Sequence, residues 1–315
     1  MSAEFNWFPG HMNKTLKEIE KRIPVVDLVI EIVDARAPYS SQNLTFRKIL
    51  KNKPVLYVLS KGDLADPSVT KLWIEHFKSN GHTVFLLDDR NKNIVKDLIK
   101  AIDQATIIKQ EKDKSRGLVN SLINALVIGV PNVGKSTFIN RVIKDKSVKV
   151  GNKPGVTRGI QTISLNQRIT LMDTPGVLPG KLESEATATN LCGINSIKEE
   201  VYPKERVSAR LMSYIFNHYE GVVENYFKIS PHLQRPIQIA DTYILFEMIA
   251  KSMKWYLTED MPDVERVMTV FMRNLANGVM GKLSFEKPFE IVPELIEESH
   301  KEKVKIIDGD ITKQW

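Results

Sequence analysis

The sequence is poor in the features that mark secreted and membrane proteins. It contains one cysteine, Cys192, among 315 residues, so no disulfide bond can form within the chain. No apolar run approaches the roughly 20 residues that cross a bilayer. Residues 1–14 show neither the apolar core of a signal peptide nor the Arg- and Ser-rich composition of a transit peptide. These absences predict a cytoplasmic protein with no membrane partner.

Basic charge is concentrated in the first part of the chain. Residues 1–180 contain 28 Lys and Arg against 17 Asp and Glu, whereas residues 181–315 contain 17 against 21. The densest basic stretch, residues 141–159, carries six Lys and Arg and one Asp. Such a surface favours RNA through phosphate contacts and counterion release, although an ordinary solvated surface gives the same pattern.

Short apolar runs rich in β-branched residues alternate with helix-like stretches up to residue 180. The predicted strands are residues 25–34, 55–59, 83–87, 125–130, 159–166 and 167–176. The predicted helices lie at about residues 42–51, 68–79 and 92–105, with another ending near 143. Buried strands that alternate with helices predict an α/β fold with a doubly wound, mostly parallel sheet.

After residue 181 the apolar residues recur every three or four positions, as in amphipathic helices. The segments with this period are residues 208–219, 241–257 and 263–278. Gly278 and Gly281 are placed to end a helix, and Pro293 to begin another. We therefore predict two domains, an α/β domain over residues 1–180 and a smaller all-helical domain over residues 181–315.

The strongest motif is GVPNVGKS at residues 129–136, between a predicted strand and a predicted helix. It fits the pattern G-x-x-x-x-G-K-[ST], in which the backbone N–H groups and the helix N-terminus bind phosphate groups. We expect Lys135 to reach the β- and γ-phosphates and Ser136 to coordinate Mg²⁺. The motif predicts a P-loop nucleotide-binding domain.

Two further elements are spaced like the switches of a GTPase. Asp173 ends a predicted strand and begins the sequence DTPG, where it can hold Mg²⁺ through water while Gly176 offers its N–H to the γ-phosphate. Thr157 lies between this element and the phosphate loop and can close onto Mg²⁺ when the γ-phosphate is present. An ordinary turn would explain DTPG alone, but its position after a phosphate loop favours the functional interpretation.

The segment SKGD at residues 60–63 follows a predicted strand and has the spacing of a guanine-reading motif. Asp63 can accept two hydrogen bonds from guanine that adenine does not offer, and Lys61 can lay its stem over the base. This favours GTP and GDP and opposes an ATP-using kinase. Ser60 stands where such motifs prefer Asn or Thr, so a contact to the base or to the phosphate loop is expected to be lost or bridged by water.

The base-reading motif precedes the phosphate loop, which inverts the usual order of GTPase motifs. In a doubly wound sheet the ligand lies beyond the carboxyl ends of the strands, where loops from distant positions converge. A sheet cut after DTPG and rejoined through a connector at residues 109–121 would keep this geometry. We therefore predict a circularly permuted P-loop GTPase domain whose second switch runs directly into the helical domain.

In combination and order the motifs resemble those of the circularly permuted ribosome biogenesis GTPase A family and its mitochondrial relatives. The resemblance covers nearly the whole chain and rests on WFPGHM (7–12), VIEIVDARAP (29–38), SKGDL, GVPNVGKST, KPGVTRG, DTPG and GKLSFEKP (281–288). It implies a monomeric late assembly factor of the large ribosomal subunit. Such a factor binds precursor rRNA and ribosomal proteins with GTP, leaves on hydrolysis, and contacts RNA through its helical tail.

Val177 occupies the position where many GTPases place a glutamine that orients the attacking water. The resemblance implies that His11 acts near the γ-phosphate instead, since a neutral imidazole can accept a proton from water. Alternatively, the segment around His11 is a turn that fastens the N-terminus to the domain. Asn132 is the candidate for holding a K⁺ ion beside the phosphates.

At Asp88 and Asp89 the sequence departs from the family pattern, in which Asn or Ser is expected near the guanine. The acidic side chains do not suit the base carbonyl, but the backbone N–H groups of these residues can donate to it. The residues expected to contact the nucleotide are Ser60, Lys61, Gly62, Asp63, Asp88, Asp89, Asn132, Val133, Gly134, Lys135, Ser136, Thr137, Thr157 and Gly176. The catalytic candidates are His11 and Lys135, and the Mg²⁺ candidates are Ser136, Thr157 and Asp173. Two functions stay open: a ribosome-stimulated GTPase, or a GTP-gated RNA- or ribosome-binding module with negligible hydrolysis, which Ser60, Val177 and the acidic pair support.

Overall fold

The structure is a computed structural model that describes residues 11–43, 46, 49–50, 53–87, 91–118, 120–144, 149–151, 161–178, 182 and 184–289. Residues 11–16 and 149–151 are described by their backbone. The strands are β1 (Leu28–Asp34), β2 (Val55–Ser60), β3 (Thr83–Leu86), β4 (Ile123–Ile128), β5 (Lys149–Gly151), β6 (Gln161–Ser164) and β7 (Ile169–Asp173).

The helices are α1 (His11–Arg22), α2 (Pro67–Ser79), α3 (Ile94–Ala105), α4 (Ile107–Ser115), α5 (Lys135–Ile143), α6 (Glu185–Gly193), α7 (Lys204–His218), α8 (Val222–Phe227), α9 (Thr242–Ser252) and α10 (Val264–Asn277). Short 3₁₀ turns occur at Ile23–Val25 and Glu199–Val201. No helix that the structure describes is long and apolar enough to cross a membrane.

The described strands form one seven-stranded sheet in the order β3-β2-β1-β4-β7-β6-β5. The five strands from β3 to β7 in that order pair in parallel, and β6 runs antiparallel to both of its neighbours. The central strands β1 and β4 are buried along nearly their whole length, as expected for strands covered on both faces. The predicted doubly wound, mostly parallel sheet is confirmed.

The path of the chain through the sheet shows the permutation. The chain runs outward from β1 through β2 to β3 and then returns to β4, where Ala125 pairs with Leu28 of β1. The return passes through α3 and α4, so most of the segment predicted as a connector, residues 109–121, is helical. Lys109 and Asp113, one helical turn apart, form an ion pair of 2.7 Å that supports α4. The irregular connector is therefore limited to the residues after Ser115.

Other sequence predictions differ from the structure in detail. The strand predicted at residues 125–130 begins at Ile123 instead, and β5 was not predicted. Of the helix predicted at residues 42–51, the structure describes residues 46 and 49–50 as helical. The helix predicted at residues 68–79 is confirmed as α2, and it begins where the Asp66 side chain accepts from two backbone N–H groups of the first turn.

The periodic segments of the second half form α7, α9 and α10, which confirms the helical prediction. These helices pack through buried apolar residues such as Ile215, Phe246 and Phe271, and this core is continuous with the core of the sheet. Gly278 ends α10 as predicted, with a left-handed φ of 71°. A Cβ there would lie 2.8 Å from Leu64 Cδ2. Helix α10 therefore ends against residues 60–64, which we call the base-reading loop.

After α10 the chain returns to the α/β part through residues 281–286, which we call the return segment. Leu283 N donates to Leu64 O at 3.0 Å, and Phe285 N donates to Arg36 O at 2.7 Å. The indole N–H of Trp73 donates to the last carbonyl of the segment, at 3.1 Å. Although the domain boundary was predicted at residue 180, these late residues are thus attached to the α/β part.

Candidate functional site

The sequence-predicted motifs meet at the carboxyl edge of the sheet, where β2, β4 and β7 end. Residues 129–136, which we call the phosphate loop, join β4 to α5. Gly129 is required by close packing, because a Cβ would lie 2.9 Å from Ile32 O. Gly134 has a φ of 90°, a conformation that glycine adopts without strain. The turn from β4 into the N-terminus of α5 therefore has the form that a phosphate-binding loop needs.

Three consecutive carbonyls of the phosphate loop are held from outside it. The carbonyls of Pro131, Asn132 and Val133 each accept a hydrogen bond from one side chain. In the same order, the donors are Ser196 Oγ at 2.7 Å, Lys61 Nζ at 2.6 Å, and Ser60 Oγ. A loop whose carbonyls are occupied in this way can direct its N–H groups toward an anion.

Ser60 contacts the phosphate loop directly, so of the two contacts that were expected to be lost or bridged by water, the one to the loop is present. Its hydroxyl is bonded to Val133 O and also lies 3.0 Å from Val33 O. The short side chain suffices because β2 ends beside the loop, where a Cβ on Gly134 would lie 3.4 Å from Ser60 Oγ. Ser60 thus joins the ends of two strands to the loop between β4 and α5.

Lys135 and Asp173, which the sequence predicted as phosphate and magnesium residues, face each other across the site. Lys135 Nζ lies 2.6 Å from Asp173 Oδ1, although 38 residues separate them in the chain. Ser136 follows at the exposed start of α5. A carboxylate and a hydroxyl are oxygen ligands of the type Mg²⁺ prefers, and Mg²⁺ takes its other ligands from water and phosphates. Among the described residues there is no cluster of three or more His, Cys, Asp or Glu side chains that could hold a metal ion.

The DTPG element packs against the phosphate loop. A Cβ on Gly176 would lie 3.2 Å from Pro131 Cα, and Val177 N donates to Gly129 O at 3.3 Å. Val177 is 1% exposed, and its carbonyl accepts from Asn43 Nδ2 at 2.6 Å. The apolar Val177 side chain is therefore part of the core and cannot orient water.

The base-reading loop is held by two residues that the functional predictions missed, Asp34 and Arg36. Lys61 Nζ lies 3.0 Å from Asp34 Oδ2, and Asp34 is paired with Arg36 at 2.8 Å. Burial opposes ionisation of Asp34, but the charges and hydrogen bonds of Arg36, together with Lys61, lower its pKa. The signal in the sequence was a pair of charged residues at the end of the buried strand β1, with Asp34 as its last residue and Arg36 two positions later. Asp63, on the same loop, is exposed.

Several predicted site residues lie outside the part of the chain that the structure describes. Asp88, Asp89 and Thr157 lie outside the described residues, as does most of the basic stretch 141–159. His11 is the first residue of α1, and its side chain is likewise outside the described part. Of the remaining predicted contacts, Gly62, Asn132 and Val133 lie in the two loops around the site, and Thr137 lies in the first turn of α5.

The fold and the site together define a P-loop GTPase with a circularly permuted domain. A family model described as "50S ribosome-binding GTPase" matches residues 124–204, the part that begins at β4 and contains the phosphate loop and DTPG. A ribosome biogenesis GTPase A from Bacillus cereus is 34% identical over 286 residues, which cover 90% of this chain and 94% of that protein. The chain belongs to the ribosome biogenesis GTPase A family.

Other relatives and solved structures agree. The ribosome biogenesis GTPase A of Thermotoga maritima is 30% identical over 91% of this chain and 96% of its own. Mitochondrial ribosome-associated GTPase 1 from Ictalurus punctatus is 32% identical over 89% of this chain and 92% of its own. A GDP-bound structure of YlqF superposes with a TM-score of 0.59 at 27% identity, covering 86% of this chain and 98% of that one. The GNP-bound form from T. maritima superposes with a TM-score of 0.57 at 26% identity, covering 87% of this chain and 98% of that one.

These comparisons answer the question of activity that the sequence left open. The chain binds guanine nucleotides and is a GTP hydrolase, as its family is. The alternative of a binding module with negligible hydrolysis is therefore set aside.

Proposed function

We propose that this GTPase is a late assembly factor of the large ribosomal subunit in the cytoplasm. As a monomer it binds the precursor particle, through rRNA and ribosomal proteins, in its GTP state, and it leaves when GTP is hydrolysed. The names of its family model and of its relatives support a ribosomal partner. The observation that carries the nucleotide-dependent part is that Lys61 and Asp173 both contact one phosphate loop, Lys61 at Asn132 O and Asp173 at Lys135.

Within the site we assign each residue a role. Asp63 accepts from guanine and Lys61 covers the base, while Lys135 and the loop N–H groups bind the phosphates. The nucleotide contacts are completed by the loop residues Gly62, Asn132, Val133 and Gly134, by Thr137 in the first turn of α5, and by the backbone of Asp88 and Asp89. Mg²⁺ would be held by Ser136 and Thr157, and by Asp173 through water, and when bound it neutralises charge on the phosphates.

The element that senses hydrolysis is the DTPG segment. Gly176 N–H is proposed to bind the γ-phosphate, and its contact with Pro131 places it at the loop already. Between Asp173 and the start of α6 at Glu185 no helix or strand intervenes among the described residues. Loss of the γ-phosphate would therefore release a segment that leads straight into the helices.

Water activation requires a residue other than the buried Val177. We propose His11 for this role, with the ribosome ordering it in the site. Asn132 is proposed to hold K⁺ beside the phosphates through its side-chain oxygen, since its amide nitrogen already donates to Asn195 O at 2.7 Å. Equal hydrolysis rates in Na⁺ and K⁺ buffers would contradict the K⁺ site.

The decisive experiment measures GTP hydrolysis by the wild type and His11→Ala, with and without purified large ribosomal subunits, in K⁺ buffer. We expect subunits to stimulate the wild type and not the variant, while GTP binding persists in both. His232→Ala, at an exposed histidine of the helical part, is the control and should behave as wild type. Equal stimulation of the wild type and His11→Ala would give His11 a structural role, and no stimulation of the wild type would contradict the proposed function.

The base-reading assignment has its own test. Asp63→Asn replaces a double acceptor by a side chain that also donates, so it should weaken GDP binding and improve binding of xanthosine diphosphate, whose 2-oxo group accepts. Asp260→Asn, at another exposed aspartate, should change neither affinity. If Asp63→Asn left the preference for guanine intact, another residue would have to read the base.

A further inference from the structure

Asp34 stands at the point where the base-reading lysine meets the buried part of the protein. Its Oδ2 accepts from Lys61 Nζ at 3.0 Å and from Arg36 Nη2 at 2.8 Å, and its Oδ1 accepts from Arg36 Nε at 2.9 Å and from Arg36 N at 3.0 Å. Both Asp34 and Arg36 are essentially inaccessible to solvent. The carboxylate is thus fixed by a two-pronged contact with Arg36 and presents one oxygen to Lys61.

Lys61 is therefore fixed at its charged end. Its ammonium group lies between the Asp34 carboxylate and the carbonyl of Asn132 in the phosphate loop. The residue has a left-handed φ of 55°, and 26% of its side chain is exposed. The stem that is proposed to cover the guanine is held in place before any nucleotide arrives.

Arg36 extends this contact to the helical part. Its Nη1 donates to Ala276 O at 2.8 Å and to Leu275 O at 3.2 Å, two carbonyls in the last turn of α10. Leu275 O also accepts from the N–H of Gly278, which caps the helix, at 3.1 Å. A guanidinium at this end also suits the helix dipole. The backbone carbonyl of Arg36 accepts from Phe285 N of the return segment. One arginine thus joins the base-reading loop to the end of α10.

We propose that Asp34 and Arg36 are positioning residues for guanine recognition, which hold Lys61 in its base-covering place and link that place to the docking of α10. The inference rests on the proposed role of Lys61 as a base reader. Neither residue touches the nucleotide; their effect is to remove the cost of ordering a long lysine side chain when the base binds. Displacing α10 would remove the hydrogen bonds that Arg36 makes to its last turn. The positions of Asp34 and Lys61 would then be less fixed, and the affinity for guanine nucleotides would fall.

A double-mutant cycle separates this role from a merely structural one. The affinity for a fluorescent GDP analogue is measured for the wild type, Asp34→Asn, Lys61→Met and the double variant, alongside urea unfolding of each. Asp34→Asn should weaken binding about tenfold when Lys61 is present and have no further effect in the Lys61→Met background. It should lower the stability in both backgrounds, because Arg36 loses its charged partner in both.

A second variant tests the link to the helices. Arg36→Lys keeps the charge but loses the forked contact with Asp34 and the α10 carbonyls, and should weaken GDP binding in the same direction, again only when Lys61 is present. If Asp34→Asn failed to fold, this variant would carry the test alone. Glu286→Gln is the matched control, because this buried carboxylate also joins the two parts, through Tyr39, Ser40 and Asn190, without contacting Lys61. It should cost stability and leave GDP affinity unchanged.

The outcomes are distinct. Equal loss of affinity in both backgrounds would mean that Asp34 acts through general stability, and no loss in either would mean that Lys61 needs no positioning; both results overturn the inference. Failure of the proposed base reading has a separate sign, which does not depend on the double-mutant cycle. In that case Asp63→Asn would keep the preference of the wild type for guanine.

Discussion

The hydroxyl of Ser196 donates to the carbonyl of Pro131 at 2.7 Å, so a residue of the helical part holds the phosphate loop. Ser196 lies beyond α6, and its neighbour Asn195 accepts from the Asn132 side chain at 2.7 Å. The segment after the second switch therefore returns to the loop on which that switch acts. A change at the γ-phosphate can reach these residues both along the chain and through space.

We predict that Ser196→Ala weakens nucleotide binding. The variant leaves the Pro131 carbonyl without its partner, and one such hydrogen bond contributes roughly 0.5–1.5 kcal/mol, so a loss of GDP affinity of a few-fold is expected. Titration with a fluorescent GDP analogue measures it.

Ser213→Ala is the control for this variant. Ser213 is also buried and donates to a backbone carbonyl, that of Ile237 at 3.2 Å, but both residues lie within the helical part. It should reduce stability slightly, because Ile237 O keeps its hydrogen bond from Asn217 Nδ2 at 3.0 Å, and it should leave GDP affinity unchanged. A loss of affinity shared by both variants would show that Ser196 acts on the fold rather than on the phosphate loop.

The parts of the site that the sequence predicted are those built from local chemistry. The phosphate loop needs Gly129 and Gly134 at fixed spacing, and the strand and helix on its two sides follow from the hydrophobic pattern, so motif and context agreed. The phosphate loop and DTPG were expected to meet because parallel strands end at one edge of the sheet, whereas the ion pair between Lys135 and Asp173 was not predicted.

The parts that the sequence did not predict depend on contacts between distant segments. Arg36 finds its carbonyl partners at the end of α10 some 240 residues later, and Ser196 reaches Pro131 across 65 residues. The charge of Arg36 just after a buried strand was a local signal, but no local pattern showed which distant groups Arg36 and Ser196 would bind. The same holds for the expected loss of the Ser60 contact, which was judged by side-chain length and not by the distance between β2 and the loop.

A second prediction concerns the return segment. The Tyr219 hydroxyl donates to Ser284 O at 3.0 Å and accepts from Ser284 N at 2.9 Å, and burial raises the pKa of Tyr219 to about 12. Tyr219→Phe removes both bonds and leaves the Ser284 N–H and carbonyl unpaired, so it should lower the free energy of unfolding by roughly 1–3 kcal/mol. Urea unfolding measures the change.

Tyr226→Phe is the matched variant, since Tyr226 is an exposed tyrosine on the neighbouring helix α8. It should unfold like the wild type. Equal stability of Tyr219→Phe and the wild type would show that the return segment is held by its other contacts, chiefly Leu283 with Leu64 and Phe285 with Arg36.

A third prediction concerns acid stability and Asp34. Burial raises the pKa of this carboxyl, but Arg36 and Lys61 outweigh it, so the folded pKa lies below the unfolded value of about 3.9. The stabilisation from ionised Asp34 is then fully present above pH ~4 and is lost as the pH falls through the folded pKa, with a slope of up to about 1.4 kcal/mol per pH unit. The stability difference between the wild type and Asp34→Asn should therefore be constant from pH 5 upward and narrow below pH ~4.

Urea unfolding across this pH range measures the difference. Asp260→Asn, at an exposed aspartate, is the control and should follow the wild type at every pH. If the difference stayed constant into acid, the ionised Asp34 carboxylate would add no stability through its two cationic partners. Asp34 and Arg36 would then position Lys61 by geometry alone.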